Sequence, residues 1–430
     1  MSMRRRPSQN LELPLVVAKP TRFLRSPGRA EKLGPPMRVA GLFAGIGGLE
    51  LGLAKAGHEA SLLCEIEPGA RAVLQTRLPE VRLHDDICSL PALPAGTELV
   101  AAGFPCQDLS QAGKTVGIEG TRSGLVGEVF RLLRGQPIPW VLLENVPFML
   151  QLARGRAMDV IVSEFERLGY RWAYRVVNSR AFGLPQRRER VIFLASLEGD
   201  PREVLFADDE GEPEVPHEPV LGRLACGFYW TEGIRGLGWA VDAVPTLKGG
   251  STIGIPSPPA IVLPDGMVVT PNIRDAERMQ GFDPSWTEPT STVTRASHRW
   301  KLVGNAVTVE VAQWVGNRLR DPSPVGREVD HCPLRRTNAW PKAAWNVGEG
   351  RFGANLSAFP VQHKGVPLHE WLQFEPAPLS AKATAGFLSR AAVSSLRFPA
   401  GFLDILEKHL RRMERAPSTT RRNVVQLSVG

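Results

Sequence analysis

Val39-Ala40-Gly41-Leu42-Phe43-Ala44-Gly45-Ile46-Gly47-Gly48-Leu49 passes from an apolar run, through closely spaced glycines, into a helical pattern. The apolar residues 39–43 read as a buried strand. The glycines permit a tight turn and a close approach of backbone to a ligand. The helix opening at Leu49, which ends near Gly57, aims its unpaired N–H groups at that turn. The spacing is not Gly-x-Gly-x-x-Gly, so the dinucleotide fingerprint is not matched.

Outward from this unit the alternation continues. Residues 60–65 predict a second strand and 68–78 a helix. A third strand ends at Asp85-Asp86, and a fourth, 99–102, runs into Gly103-Phe104-Pro105-Cys106-Gln107. A helix over 125–133, a strand over 140–143, a helix over 159–168 stopped by Gly169, and strands over 170–177 and 190–195 follow. Strands alternating with helices imply βαβ units and a mostly parallel sheet. The α/β body is expected to span 38–196. An irregular region covers 197–271, the body resumes over 272–320, and 321–430 is an extension of unassigned role. Residues 1–37, rich in Pro, Arg and Ser without periodicity, read as a disordered basic arm.

The chain has 430 residues, 43% of them apolar, enough for two or three domains. No run approaches the length of a membrane span, and Arg4-Arg5-Arg6 lack an apolar stretch behind them, so neither a membrane nor a secretory role is expected. The five cysteines (Cys64, Cys88, Cys106, Cys226, Cys332) contain no Cys-x-x-Cys pair. That disfavours a disulfide framework or a metal site and favours a reducing cytoplasm. The net charge is +8, placed at the ends: residues 1–37 and 321–430 each carry +6, and the centre is mildly acidic. A nucleic-acid partner is compatible with this, as are solvated tails.

Several strand ends carry candidate chemistry. Gly-x-Pro-Cys after a strand presents the Cys106 thiol on a stiff turn, although a lone cysteine is more often inert and buried. Glu65, twenty residues after Gly45, can accept ribose hydroxyls or be a solvated strand end. Asp86-Ile87 can hold an adenine or simply cap a turn. Glu144, ending an apolar strand, can have its pKa raised by apolar walls. Gln186-Arg187-Arg188-Glu189-Arg190 can orient a base carbonyl and phosphates, or form a solvated basic turn.

Together these blocks resemble the cytosine-5 DNA methyltransferase family over residues 38 to about 320. They are, in order, Phe43 to Gly48, Glu65, Asp86-Ile87, Gly103 to Gln107, Glu144 to Val146, Gln186 to Arg190, Arg274 to Phe282 and Gly304-Asn305-Ala306-Val307. The resemblance implies the class I methyltransferase (Rossmann-like) fold, a mixed seven-stranded sheet with helices on both faces, plus a small irregular target-recognition region at 197–271. It implies S-adenosyl-L-methionine as cofactor, held by Phe43, Ala44, Gly45, Ile46, Gly48, Glu65, Ile66, Asp86, Ile87, Pro105, Leu125, Asn305 and Val307. It gives Cys106 as nucleophile on a flipped-out cytosine, Glu144 as the acid at nitrogen 3, and Arg188 and Arg190 at the base carbonyl, with Arg188 also near DNA. The substrate would be double-stranded DNA, and the enzyme a bacterial, nucleoid-associated monomer protecting host DNA beside a restriction or other defence partner. A transfer-RNA methyltransferase of similar fold and an inactive DNA-binding relative are the alternatives. Gly41 stands where many members carry Asp or Ser, and Ile66 where many carry an aromatic residue.

Two regions resist the pattern. Residues 198–218 hold nine acids and one arginine, odd for a surface facing DNA. That run is expected to face away, leaving contacts to 233–254 with Arg235 and Lys248. In the extension, Ser380 is expected to cap a helix to about Leu396. A second helix after Pro399 carries Phe402, Ile405, Leu406 and Leu410 on one face. That stripe is expected to dock on the protein itself, with Arg411, Arg412, Arg415, Arg421 and Arg422 available to phosphates in the alternative.

Overall fold

The opening strand, turn and helix form for steric reasons. In the computed structural model, β1 (Arg38–Leu42) is buried on four of five residues, and the chain leaves it with Phe43, Gly45 and Gly47 at φ 55°, 56° and 86°. Left-handed backbone costs a non-glycine about 1 kcal/mol, so Phe43 is held there by its surroundings. A Cβ on Gly48 would collide with the Val307 carbonyl, which leaves glycine as the residue that can start α1 (Gly48–Lys55) at this point. The structure describes residues 33–104, 124–214, 221–250, 256–325, 332–334 and 339–415. Every described helix and strand belongs to the unit from Gly34 onward.

β2 (Glu59–Cys64) leads into α2 (Pro68–Arg77), which has proline at its first position and Glu67 accepting the Ala70 N–H at 2.6 Å as its cap. β3 (Arg82–His84), β4 (Leu99–Ala102), α3 (Leu125–Gly135), β5 (Trp140–Asn145), α4 (Arg156–Arg167), β6 (Arg171–Asn178), β7 (Gln186–Arg187) and β8 (Glu189–Ser196) follow. After α5 (Arg202–Leu205) come β9 (Cys226–Phe228), β10 (Trp239–Val241), β11 (Val244–Pro245), β12 (Ala260–Val262) and β13 (Val268–Thr270). Next are α6 (Ile273–Arg278), α7 (Arg299–Asn305) and α8 (Val309–Arg320). The extension supplies β14 (Cys332–Pro333), β15 (Ala343–Asn346), β16 (Phe352–Gly353), α9 (Leu368–Trp371), β17 (Ala377–Pro378), α10 (Ala381–Ala392) and α11 (Phe402–Arg415).

The main sheet runs β14-β16-β15-β6-β8-β5-β4-β1-β2-β3. Strands β1 to β5 pair in parallel, and β8 is antiparallel between β5 and β6. The expected seven-stranded mixed sheet is the run from β6 to β3, and the fold is that of class I methyltransferases. The count is corrected upward: the described sheet has ten strands, because β15 pairs antiparallel along β6 and brings β16 and β14 with it. Without that cover β6 would present an unpaired edge carrying Trp172 and Tyr174. Helices bury both faces around Phe130, Phe165, Phe193 and Trp172.

The region expected to be irregular contains a second, antiparallel sheet, β10-β9-β12-β13-β17. Its last strand and its covering helices come from the extension. Ser380 caps α10 through the Ala383 N–H, and Phe387, Phe402 and Leu406 are buried against Phe228. The stripe on α11 therefore docks on the protein itself, with Ile405 and Leu410 half-buried or better. Arg421 and Arg422 lie outside the described residues. The boundary at 197 also moves. Val204, Leu205 and Phe206 sit in the main core, and the acidic run that follows is a fastener: Asp208 pairs with Arg318, and Asp209 binds Arg175 and Ser357.

Candidate active site

The carboxyl ends of β1, β2, β3 and β4 open onto one cavity of about 270 Å³, the place where a parallel α/β sheet binds ligands. Phe43, Gly45, Ile46, Glu65, Ile66, Asp86, Ile87, Leu125 and Asn305, which the resemblance gives as cofactor residues, are brought together in its lining. Glu65 is held rigidly: its two oxygens accept the Gly45 N–H at 2.7 Å and the Glu67 N–H at 2.8 Å. Burial raises its pKa, against the pull of those N–H groups. Ile66 is 68% exposed, so it covers the cavity from one open side. The space over Gly45, where a Cβ would meet nothing within 4 Å, opens toward the ligand side.

Three predicted cofactor residues stand back from the cavity. Ala44 is packed with Leu63 and Leu74 and donates its N–H to the Cys64 carbonyl at 3.0 Å, so it shapes the turn from behind. Gly48 and Val307 lie against each other beneath the wall. Pro105 and Cys106 lie outside the described residues. The sequence missed Glu67, Ala70, Lys301 and Leu302, which also line the cavity. For Lys301 the signal was its spacing of four from Asn305, which puts both on one helical face.

The floor of β4 and β5 carries the second group. Glu144 is 7% exposed and pairs with Arg190, Nε to Oε1 at 2.8 Å. Burial pushes its carboxyl above the ordinary range, opposed by the charges of Arg190 and Arg188. A Cβ built on Gly103 would lie 3.5 Å from Glu144 Oε2 and 3.7 Å from Val307 Cγ2, so the cofactor cavity and the Glu144–Arg190 pair meet at this residue. Asn145 Nδ2 donates to the Phe104 carbonyl at 3.0 Å, fixing the backbone at Phe104.

Arg188 is a correction. It was expected at the base and near DNA, but it is 1% exposed and two of its three guanidinium nitrogens bond protein carbonyls, Nε having no partner among the described residues. Nη1 donates to the carbonyls of Leu247 and Gly304 at 3.1 and 3.2 Å, and Nη2 to that of Ala306 at 2.7 Å. It clamps the segment after β11 to the end of α7. Around that clamp Gly304 meets the Lys248 backbone so closely that a Cβ there would overlap it. Lys248 itself pairs with Glu232 at 3.2 Å and lies over the Tyr229 ring at 4.0 Å, while Arg235 is exposed on a turn at Ile234–Gly236.

A class I sheet with a nucleoside-sized cavity above β1 to β4, beside a buried acid–arginine pair, defines a methyltransferase. The family model for C-5 cytosine-specific DNA methylase matches residues 37–222. The chain is 47% identical over 384 residues to Type II methyltransferase M2.BsuMI of Bacillus subtilis (strain 168), covering 86% of this chain and 98% of that one. It is 36% identical over 180 residues to Type II methyltransferase M.BanI of Aneurinibacillus aneurinilyticus, covering 40% and 41%. It is 34% identical over 175 residues to Type II methyltransferase M.NgoBV of Neisseria gonorrhoeae, covering 37% and 41%. The chain belongs to the cytosine-5 DNA methyltransferase family. It is an enzyme that methylates cytosine in DNA.

Proposed function

We propose that the chain transfers a methyl group from S-adenosylmethionine to carbon 5 of a cytosine in a specific short duplex sequence. The observation that carries this is the meeting of two sites at Gly103, three residues before Cys106 in the sequence. The donor set suits the cofactor: Glu65 and Asp86 can accept from ribose hydroxyls and an adenine amine, and Phe43, Ile46, Ile87 and Leu125 give apolar walls. When bound, S-adenosylmethionine supplies an electrophilic methyl group.

Carbon 5 of cytosine is a poor nucleophile. Addition of the Cys106 thiolate to carbon 6 makes it enamine-like, provided nitrogen 3 is protonated. Glu144, whose pKa burial raises against the pull of Arg190 and Arg188, is the group placed to give that proton, and Arg190 both orients Glu144 and holds the base carbonyl. After methylation, water takes the carbon 5 proton, the electron pair left behind re-forms the 5,6 double bond and expels Cys106 as thiolate, and nitrogen 3 returns its proton to Glu144. The buried thiols at Cys64 and Cys226, pushed up to about 12 and about 11, are unsuited to this task. The base must leave the duplex to reach such a floor. The second sheet, with α10 and α11, forms the target-recognition unit, presenting Arg235 and Lys248. The Type II methyltransferase names of the bacterial relatives support a role beside a restriction system.

Radiolabelled methyl transfer to duplex DNA and to transfer RNA tests the reading, with bisulfite sequencing of an expressing host giving the site. Label is expected in DNA alone, and Cys106→Ser is expected to abolish both transfer and trapping on 5-fluorocytosine DNA. Full turnover by Cys106→Ser, or transfer to RNA in place of DNA, overturns it.

A further inference from the structure

We infer that Lys301 is a cofactor-binding residue that pairs with the carboxylate of the methyl donor. This rests on reading the cavity as the S-adenosylmethionine site. The charged side chains among its described lining residues are Glu65, Glu67, Asp85, Asp86 and Lys301, four acids and one cation.

Three of the acids have defined protein partners. Glu65 accepts two backbone N–H groups, and Glu67 accepts the Ala70 N–H at 2.6 Å and meets His298 Nε2 at 2.9 Å. Asp86 accepts the Cys88 N–H at 2.9 Å. The Lys301 side chain has no hydrogen bond or ion pair among the described residues. It is exposed on the same face of α7 as Asn305, one turn on, and both line the cavity. An ammonium carries three donors and no acceptor, so its partner must supply lone pairs or negative charge.

The cofactor's own chemistry divides in the same way. Its ribose hydroxyls and adenine amine are hydrogen-bond donors and suit the acids. Its single anionic group is the carboxylate of the methionine portion. A cavity lined by acids and one unpaired lysine distinguishes the two ends of such a molecule, and the lysine is the residue in the described lining that can neutralise the anionic end.

The test is titration calorimetry on the full chain with two ligands, S-adenosylhomocysteine and its decarboxylated counterpart, which keeps the amine and lacks the carboxylate. Lys301→Met is expected to weaken the first by about tenfold and leave the second unchanged, the size of one charge-assisted hydrogen bond. Lys301→Arg is expected to restore most of the loss, and higher ionic strength to weaken S-adenosylhomocysteine more in the unmodified chain than in Lys301→Met. Equal loss for both ligands, or unchanged affinity for S-adenosylhomocysteine with weaker binding of duplex DNA, overturns the assignment, the latter placing Lys301 at a phosphate. If the unmodified chain binds neither ligand, the cofactor reading itself fails.

Discussion

At the scale of single residues, the most consequential side chain outside the cavity is Glu50. It lies in the first turn of α1, 2% exposed, with neither carboxyl oxygen hydrogen-bonded among the described residues. Its carboxyl occupies the space that any side chain at position 41 would need, so Gly41, which stands where many family members carry Asp or Ser, is the complement of Glu50. Burial pushes the Glu50 pKa from 4.5 to about 8, and the negative charge of Glu65 adds to the rise. The folded state therefore holds a proton between those limits that the unfolded chain has released. Stability is expected to fall as pH rises through this window, by about 1.4 kcal/mol per unit, and to level off above it. Glu50→Gln removes the titration. Thermal melts at pH 5 and pH 8 check this: the variant should gain on the parent chain at pH 8 and not at pH 5. Glu144 makes a different case, because its raised pKa serves the chemistry. Glu144→Gln keeps the shape and loses the transferable proton, so methyl transfer is expected to drop by about 10²–10⁴, with S-adenosylhomocysteine binding unchanged by calorimetry. In the unmodified enzyme kcat/KM is expected to decline on the alkaline side as Glu144 loses its proton.

Elements show why some of this was legible and some was not. The unit from β1 to α1 could be read directly, because an apolar strand, a glycine turn and a helix leave few alternatives at that length. For the cavity wall the pattern marked only the strand ends at Glu65 and Asp86; a solvated end or a turn cap would look the same there, and the resemblance alone gave them a cofactor role. Arg188 failed for a geometric reason. Two residues from Arg190, it would share a face with it on a regular strand, but the chain changes partner at this point, from β11 beside β7 to β6 beside β8. Its side chain turns into the protein, onto three carbonyls. Arg188→Lys cannot span all three, and about 3 kcal/mol of stability is expected to be lost from carbonyls left unpaired in the interior. Chemical denaturation measures that loss. If Arg188 acted at the base, turnover per folded molecule would collapse at permissive temperature; the clamp predicts that it stays within about threefold. The acidic run over 198–218 was opaque because its partners, Arg175, Arg318 and Ser357, are distant in sequence. No local pattern announces a fastener whose two halves lie more than thirty residues apart.

On the scale of the whole molecule, the extension after α8 belongs to both bodies at once. β15 and β16 widen the catalytic sheet at β6, and β17, α10 and α11 finish the second sheet. The chain between them is tied down along its length. Ser357 binds Asp209, and Gly365 lies against Gly183. The Leu368 N–H meets Asp242 at 2.8 Å, and the Gln373 and Phe374 N–H groups both meet buried Asp275 at 3.1 Å. Strands of two residues rich in proline carry no alternation to read, so these pairings could not be seen before the fold. Their energetic weight is large. Phe387, Phe402 and Leu406 are fully buried, and truncating one such aromatic costs about 3–5 kcal/mol, a large share of the stability of an ordinary domain. Phe402→Ala is therefore expected to loosen the second sheet first. Hydrogen exchange should rise over β9, β12 and β13 while β4 and β5 stay protected, and affinity for duplex DNA should fall with S-adenosylhomocysteine binding intact. Exchange rising equally in both sheets would mean that the two bodies unfold as one cooperative unit, and that the extension serves as a single fastener between them.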